Sequence, residues 1–117
     1  MDYKAFVDRN WGYIKAEHQE QIRTTRLLIT GCGLGSNIAS LAVRTGFTKF
    51  TLADGDNVEI NNLNRQTFRV EHLGKNKAEV TAQLIREVNP DTEINIIPNY
   101  ISNKEAEGLV RVLFDPR

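Results

Sequence analysis

Apolar and polar residues follow one another in two patterns along this chain, and each pattern predicts one kind of element. Short apolar runs that stop at glycine, aspartate or proline predict buried parallel strands over 26–30, 50–53 and 94–97. Apolar residues at helical spacing predict helices over 16–22, 35–46 and 81–88, and a last one from about 106. Gly46 and the pair Asn89-Pro90 stand where helices are expected to end.

The predicted order, β-α-β-α-β-α, is the first half of an α/β fold of the Rossmann-like, three-layer type, in which helices flank a parallel sheet. A chain of 117 residues accommodates one core and roughly one such half. We therefore expect an N-terminal arm and helix over 1–25. The expected nucleotide-binding domain over 26–117 is then truncated at its C-terminal end and leaves a strand edge exposed.

Composition narrows the function classes. Lysine plus arginine number 15 and aspartate plus glutamate number 15, so no net positive charge points to a nucleic-acid partner. No apolar run reaches the roughly 20 residues of a membrane span. The chain is therefore expected to be soluble. The single cysteine, Cys32, excludes an internal disulfide and a metal site with paired cysteines, so we expect a cytoplasmic protein without a structural metal. His18 and His72 are expected at the surface, and Trp11 is expected to pack.

Glycines punctuate the passage from the first strand to the first long helix. Gly31, Gly33 and Gly35 leave the backbone bare at a helix N-terminus, where free amides attract phosphate. Asp54 ends the second strand about 20 residues later, where a carboxylate accepts ribose hydroxyls. The spacing is one residue shorter than G-x-G-x-x-G, and such glycines also close ordinary turns. Cys32 in this turn is a small packed residue or, less in keeping with its neighbours, a reactive thiol.

The loop after the second strand decides between two nucleotides. A glycine turn with an acidic strand end suits NAD as well as ATP. Arg65 and Lys77 add two cations that suit a triphosphate and are superfluous for NAD. Alternatives stay open from the residues alone: Arg65 could pair with Glu59 or Asp56 at the surface, and Lys77 could belong to a solvated helix start.

One string in this loop is more specific. Asp54-Gly-Asp-x-Val-Glu-x-x-Asn62-Leu-Asn-Arg65-Gln66, with Gly74-Lys-x-Lys77 and the glycine turn, resembles the adenylation domain of the ThiF, MoeB and E1 (ubiquitin-like activating) superfamily. The resemblance runs from about residue 17 to residue 100. It implies an adenylyltransferase that uses ATP and Mg²⁺ to activate the C-terminal glycine of a ubiquitin-like or sulfur-carrier protein ending in Gly-Gly.

The resemblance also implies roles for single residues. Asp54 would hold the ribose, Arg65 and Lys77 would be the catalytic cations on the phosphates, and Asn62 and Gln66 would line the same pocket.

Two further assignments rest on the resemblance. Asp56 would assist Mg²⁺ or the ribose, or it would only cap the turn after the second strand. In a homodimer, Arg9 would reach the ATP of the partner subunit.

The family's magnesium-binding aspartate follows a fourth strand, which would lie past residue 117. Two other functions stay open, the first supported by the glycine turn with Asp54 and the second by the missing downstream residues. One is an NAD-dependent oxidoreductase, and the other is a catalytically inactive nucleotide-binding or interaction module.

Overall fold

The computed structural model describes the backbone of residues 1–114 and the side chains of residues 1–109. Its main elements are α1 Tyr3–Phe6, α2 Ala16–Thr24, β1 Arg26–Thr30, α3 Leu34–Thr45, β2 Lys49–Ala53, α4 Lys77–Val88, β3 Glu93–Ile97 and α5 Asn103–Phe114. Short 3-10 helices lie at Asp8–Asn10, Ile60–Asn62 and Val70–His72. The predicted order of strands and helices is confirmed. The end of the predicted domain, 115–117, and the side chains of Val110 and Leu113 lie outside the described residues.

The three strands form one parallel sheet in the order β1-β2-β3. Thr30 pairs with Ala53, and Ala53 pairs with Ile97, so the carboxyl ends of all three strands lie side by side. α5 runs back from β3 and contacts β1 at the other edge of the sheet. The α/β fold, a parallel sheet flanked by helices, is thus confirmed. Among the described residues β1 has no strand on its outer side.

The main core lies where α3 and α4 pack against each other and against the sheet. Its buried members are Cys32, Ala39, Ala42, Val43, Phe50, Leu52, Ala78, Ala82 and Ile85. Full burial of one of its larger aliphatic or aromatic side chains contributes about 1.5–3 kcal/mol. A smaller cluster of Val58, Phe68 and Val80 packs the loop after β2 onto α4. This cluster holds in place the loop that carries most of the candidate residues.

The two central helices begin differently. Asn76 caps α4, because its Oδ1 accepts hydrogen bonds from the backbone N–H groups of Ala78 at 2.9 Å and Glu79 at 3.1 Å. Within the described residues, no side chain caps the first turn of α3, which follows Gly33 directly. Free amides and the positive end of a helix attract anions. The N-terminus of α3 is therefore open to an anionic ligand.

The N-terminal arm is tied to the opposite end of α3. The Tyr3 hydroxyl donates to the Gly46 carbonyl at 2.8 Å, and the side-chain amides of Asn10 and Gln19 both donate to the Thr45 carbonyl, at 3.1 and 2.9 Å. Gly46 ends α3 with φ of 120°, as predicted for its C-cap. The expectation that Trp11 packs was wrong, since it is 76% exposed. No helix within the described chain is long and apolar enough to cross a lipid bilayer.

Candidate nucleotide-binding site

The glycine turn leaves little room for side chains, for a different reason at each of its three positions. Gly31 has φ of 85°, which side chains rarely adopt, and its N–H donates to the Ala53 carbonyl at 2.8 Å. A Cβ on Gly35 would lie 2.7 Å from Cγ2 of Ile29. A Cβ on Gly33 would lie 3.1 Å from Nε2 of Gln66. The turn therefore lies tightly between β1 and the loop after β2, with its backbone uncovered by side chains of its own.

Asp54 organises this turn through its carboxylate. Oδ2 accepts the backbone N–H of Cys32 at 2.6 Å, and Oδ1 accepts the backbone N–H of Asp56 at 2.8 Å. The side chain is 6% exposed. A carboxylate offers about four lone-pair sites, so two remain for a ligand. Asp54 thus joins the glycine turn to the loop and keeps capacity for ribose hydroxyls, a structural role that the sequence did not reveal.

The loop after β2 is fastened to the first turns of α3. Thr67 Oγ1 donates to Asn37 Oδ1 at 2.7 Å and also lies 2.9 Å from Ser36 Oγ, and Asn37 Nδ2 donates to the Arg65 carbonyl at 3.0 Å. Gln66, a predicted pocket residue, lies over Gly33, and its Oε1 is buried without a hydrogen-bond partner among the described residues. Such an acceptor stands ready for a donor from a ligand or a water molecule.

Asn62 and Arg65 differ in burial and in hydrogen bonding. Asn62 is buried, and its Oδ1 accepts the Glu59 backbone N–H at 2.8 Å, which closes the 3-10 turn. Its role here is to shape the loop. The exposed Arg65 guanidinium donates to the Asn61 carbonyl at 2.7 Å and to Asn64 Oδ1 at 3.2 Å. The alternative in which Arg65 pairs with Glu59 or Asp56 was wrong, since Arg65 makes no ion pair within the described residues.

Lys77 differs from an ordinary surface lysine. It is the first residue of α4, and its side chain is 7% exposed. Its backbone N–H donates to the Asp56 carbonyl at 2.9 Å, and its ammonium makes no ion pair or hydrogen bond with the side chains that the structure describes. Lys77 is therefore more buried than a solvated helix start would be, whereas Lys75 is exposed. A lysine whose side chain is largely buried and that makes no ion pair among the described residues is suited to an anionic ligand.

A cleft of about 260 Å³ opens at the carboxyl ends of the strands, where ligands of open α/β sheets bind. It is lined by Thr30, Gly31, Ala53, Asp54, Asp56, Tyr100 and Ile101. The structure thus brings together three predicted residues, Gly31, Asp54 and Asp56. It adds Tyr100, which the sequence analysis missed. The signal available in the sequence was its position just after β3, level with the aspartates that follow β2.

Arg9 lies away from this cleft. It belongs to the 3-10 helix Asp8–Asn10, and the neighbouring Asn10 is bonded to Thr45 at the far end of α3. A helix of this length spans about 18 Å, farther than one arginine side chain reaches. Arg9 therefore does not reach the glycine turn of its own chain.

Two side chains near the loop are buried. Cys32 is fully buried in the core, as expected for a small packed residue, and burial followed by the nearby Asp54 charge raises the pKa of its thiol to about 11. His72 was expected at the surface, and this was wrong. It is 0% exposed because its Nδ1 accepts the Arg69 backbone N–H at 2.9 Å and its ring packs edge-on against Phe68.

The described residues contain no group of three histidine, cysteine, aspartate or glutamate side chains close enough to hold a metal ion. Asp54 and Asp56 are the carboxylates at the cleft, and both oxygens of Asp54 already accept backbone N–H groups. These residues by themselves do not form a Mg²⁺ site.

Comparison with known proteins identifies the family of the chain. The model of the ThiF family matches residues 7–115. Ubiquitin-like modifier-activating enzyme 5 of Xenopus laevis is 36% identical over 81 residues, which cover 68% of this chain and 20% of that protein. SUMO-activating enzyme subunit 2 of Dictyostelium discoideum is 32% identical over 90 residues, 75% of this chain and 13% of that protein. The chain spans a fifth or less of these relatives.

Solved structures also resemble this chain over most of its length. E. coli tRNA N6-threonylcarbamoyladenosine dehydratase matches with a TM-score of 0.80 and 27% identity, over 92% of this chain and 44% of that one. E. coli MccB matches with a TM-score of 0.71 and 28% identity, over 79% of this chain and 28% of that one. Because the family model covers nearly the whole chain and these relatives share its fold, the chain belongs to the ThiF family, whose members here include E1-like activating enzymes.

Proposed function

We propose that this chain is the ATP-binding portion of an adenylyltransferase that activates the C-terminal carboxylate of a ubiquitin-like or sulfur-carrier protein. The observation that carries the proposal is Lys77, a lysine that is only 7% exposed and makes no ion pair in the described structure, in a chain whose helix α3 has no side-chain cap at its N-terminus. A dinucleotide site has no need of such a cation. We assign the nucleotide site to 26–117 and treat 1–25 as an arm.

We assign the two parts of ATP, the nucleoside and the phosphates, to different residues of the chain. Two carboxylates, Asp54 and Asp56, line the cleft and suit hydroxyl groups, so the nucleoside belongs there and the phosphates do not. The phosphates belong at the amides that begin α3, with Arg65 and Lys77 as the nearby cations. Gly33 has no side chain, which leaves room for Gln66 beside this turn.

The reaction makes the placement of cations important. A carboxylate oxygen of the carrier forms a bond to the α-phosphorus of ATP, and the bond from that phosphorus to the bridging oxygen breaks, which releases pyrophosphate. Negative charge grows on the phosphate oxygens in this step. Lys77 and Arg65 stabilise that charge more than the ground state, so catalysis consists mainly of positioning and electrostatics. The described residues do not complete a Mg²⁺ site.

Related proteins support the proposed nucleotide and the proposed class of protein substrate. The dehydratase is known in complex with AMP and with ATP, and MccB with ATP and with a peptide, MccA, together with an ATP analogue. The relatives from Xenopus laevis and Dictyostelium discoideum are, by name, activating enzymes for ubiquitin-like proteins. These names support a ubiquitin-like protein or a peptide as the substrate, and its Gly-Gly end is part of our proposal.

A second copy of the chain is part of the proposal. Leu34, Ile38 and Leu41 are large, exposed and one or two turns apart on α3, so they form an apolar stripe. The stripe begins beside the glycine turn. A partner subunit seated on it would lie next to the phosphates, where its Arg9 could act although each chain's own Arg9 does not reach. We therefore propose a homodimer with Arg9 supplied across the interface.

The nucleotide is tested by calorimetric titration with ATP, AMP and NAD. We expect ATP to bind, NAD to bind weakly or not at all, and Lys77→Met to weaken ATP binding by about tenfold or more. Lys75→Met is the matched control, because Lys75 lies two residues away and is exposed; it should leave the affinity unchanged. Tight NAD binding without ATP binding would instead identify an NAD-dependent oxidoreductase.

The reaction is tested on the full gene product by exchange of labelled pyrophosphate into ATP. Exchange should require a carrier that ends in Gly-Gly and should vanish when that end is removed. ATP binding without exchange, across a panel of such carriers, would mean an inactive nucleotide-binding module.

A further inference from the structure

Tyr100 stands at the nucleoside end of the cleft, three residues beyond β3. Its hydroxyl donates to the Asp56 carboxylate, and its side chain is 69% exposed. Its ring lies directly on Gly55, since a Cβ at that position would be 2.5–2.8 Å from three of the ring carbons. The contact joins the segment after β3 to the segment after β2, across the mouth of the cleft.

The cleft has chemically distinct sides at this point. Asp54 and Asp56 supply carboxylates, whereas Tyr100 and Ile101 supply the larger apolar surfaces. A nucleoside has the same division, with hydroxyl groups on its sugar and an aromatic face on its base. An exposed aromatic ring is a suitable surface for that face, and a carboxylate is a suitable acceptor for the hydroxyls.

We propose that Tyr100 is a positioning and specificity residue for the nucleoside. Its hydroxyl holds the Asp56 carboxylate in the orientation that accepts a ribose hydroxyl, and its ring forms the wall against the nucleoside. Gly55 is bare because the ring occupies the space of a side chain there. This inference rests on the proposed function, since it concerns the nucleotide of that same site.

The test separates the two ends of the nucleotide. AMP and inorganic tripolyphosphate are titrated by calorimetry into the wild-type chain and into Tyr100→Phe, Tyr100→Ala and Gly55→Ala. Tyr100→Phe should weaken AMP binding by about tenfold, as expected for loss of a hydrogen bond to a charged group, and Tyr100→Ala should weaken it further. Gly55→Ala, which displaces the ring, should resemble Tyr100→Ala. Tripolyphosphate should bind all four proteins within about twofold.

A sugar analogue adds a second measurement. Wild type should prefer AMP over its 2′,3′-dideoxy form, and Tyr100→Phe should lose most of that preference. Tyr13→Phe is the control, because Tyr13 is an exposed tyrosine of the arm, away from the cleft. It should behave as wild type does.

The outcomes are distinguishable. Equal weakening of AMP and tripolyphosphate, with a lower melting temperature, would mean that Tyr100 only supports the fold. Unchanged AMP binding in all Tyr100 variants would overturn the inference and leave the proposed function standing. Failure of the wild-type chain to bind AMP and ATP would overturn both.

Discussion

Replacement of Asp54 by asparagine tests the structural role of its carboxylate. In the ligand-free protein the two oxygens accept the N–H groups of Cys32 and Asp56, one on each side of the cleft. The asparagine side chain would keep one oxygen and place an NH₂ donor where the other oxygen stood. One of the two backbone N–H groups would then face the NH₂ donor. The other would still donate a hydrogen bond, but to a neutral oxygen instead of a charged one. If Asp54 served only the ribose, the ligand-free protein would be indifferent to this change.

The magnitude follows from the two bonds. A hydrogen bond to a charged group contributes about 1.5–3 kcal/mol and a neutral one about 0.5–1.5 kcal/mol. Loss of one charged bond and weakening of the other therefore lowers the free energy of unfolding by about 3 kcal/mol. In a chain of this size that corresponds to a melting temperature lower by about 10 °C.

Urea denaturation of the ligand-free chain, followed by circular dichroism, measures this difference. Asp8→Asn serves as the control, because Asp8 is an exposed aspartate on the arm. This variant should differ from wild type in free energy of unfolding by less than about 0.5 kcal/mol. A loss below about 1 kcal/mol for Asp54→Asn, combined with weaker ATP binding, would refute the structural role and leave Asp54 as a ligand residue alone.

Three more predictions follow from the same region. Gly35→Ala should destabilise the fold by about 1–3 kcal/mol in denaturation, because the added methyl group meets Ile29 at 2.7 Å; an unchanged midpoint would contradict this contact. Since burial raises the pKa of the Cys32 thiol to about 11, its alkylation at pH 8 should be about 100-fold slower in the folded than in the urea-unfolded chain, and it should accelerate as the pH rises toward 11. Arg65→Ala should weaken ATP binding by about 1.5–3 kcal/mol in calorimetry, whereas Arg86→Ala, an exposed arginine of α4, should not; equal affinities would make Arg65 a surface residue.

The sequence predicted the strands and helices well because their signals are local. Apolar runs and helical spacings are complete within one element, and the ends of α3 and α4 coincide with Gly46 and with the Asn89-Pro90 pair. The 3-10 helix Asp8–Asn10 was not predicted, since three residues carry too little periodicity to stand out. The strand and helix pattern predicted that the glycine turn and Asp54 share one site, and the family resemblance added Asp56. Gly31, Asp54 and Asp56 all line the cleft.

What the sequence could not predict depends on contacts between distant segments. His72 stands in a polar stretch, and only the fold of the loop brings Phe68 and the Arg69 amide around it. Lys77 resembles a solvated helix start in the sequence, and only the folded structure shows that the residue is 7% exposed. The second role of Asp54 likewise requires the positive φ of Gly31, which precedes the Cys32 amide that the carboxylate accepts.

The attachment of the arm has a practical consequence for proteolysis. Asn10 and Gln19 both donate to the Thr45 carbonyl, and the exposed segment 11–15 between them includes Trp11 and Tyr13. A protease that cuts this segment would leave both new ends held at the same carbonyl. The nicked chain should therefore elute as one species in native size-exclusion chromatography and separate into two fragments only on a denaturing gel.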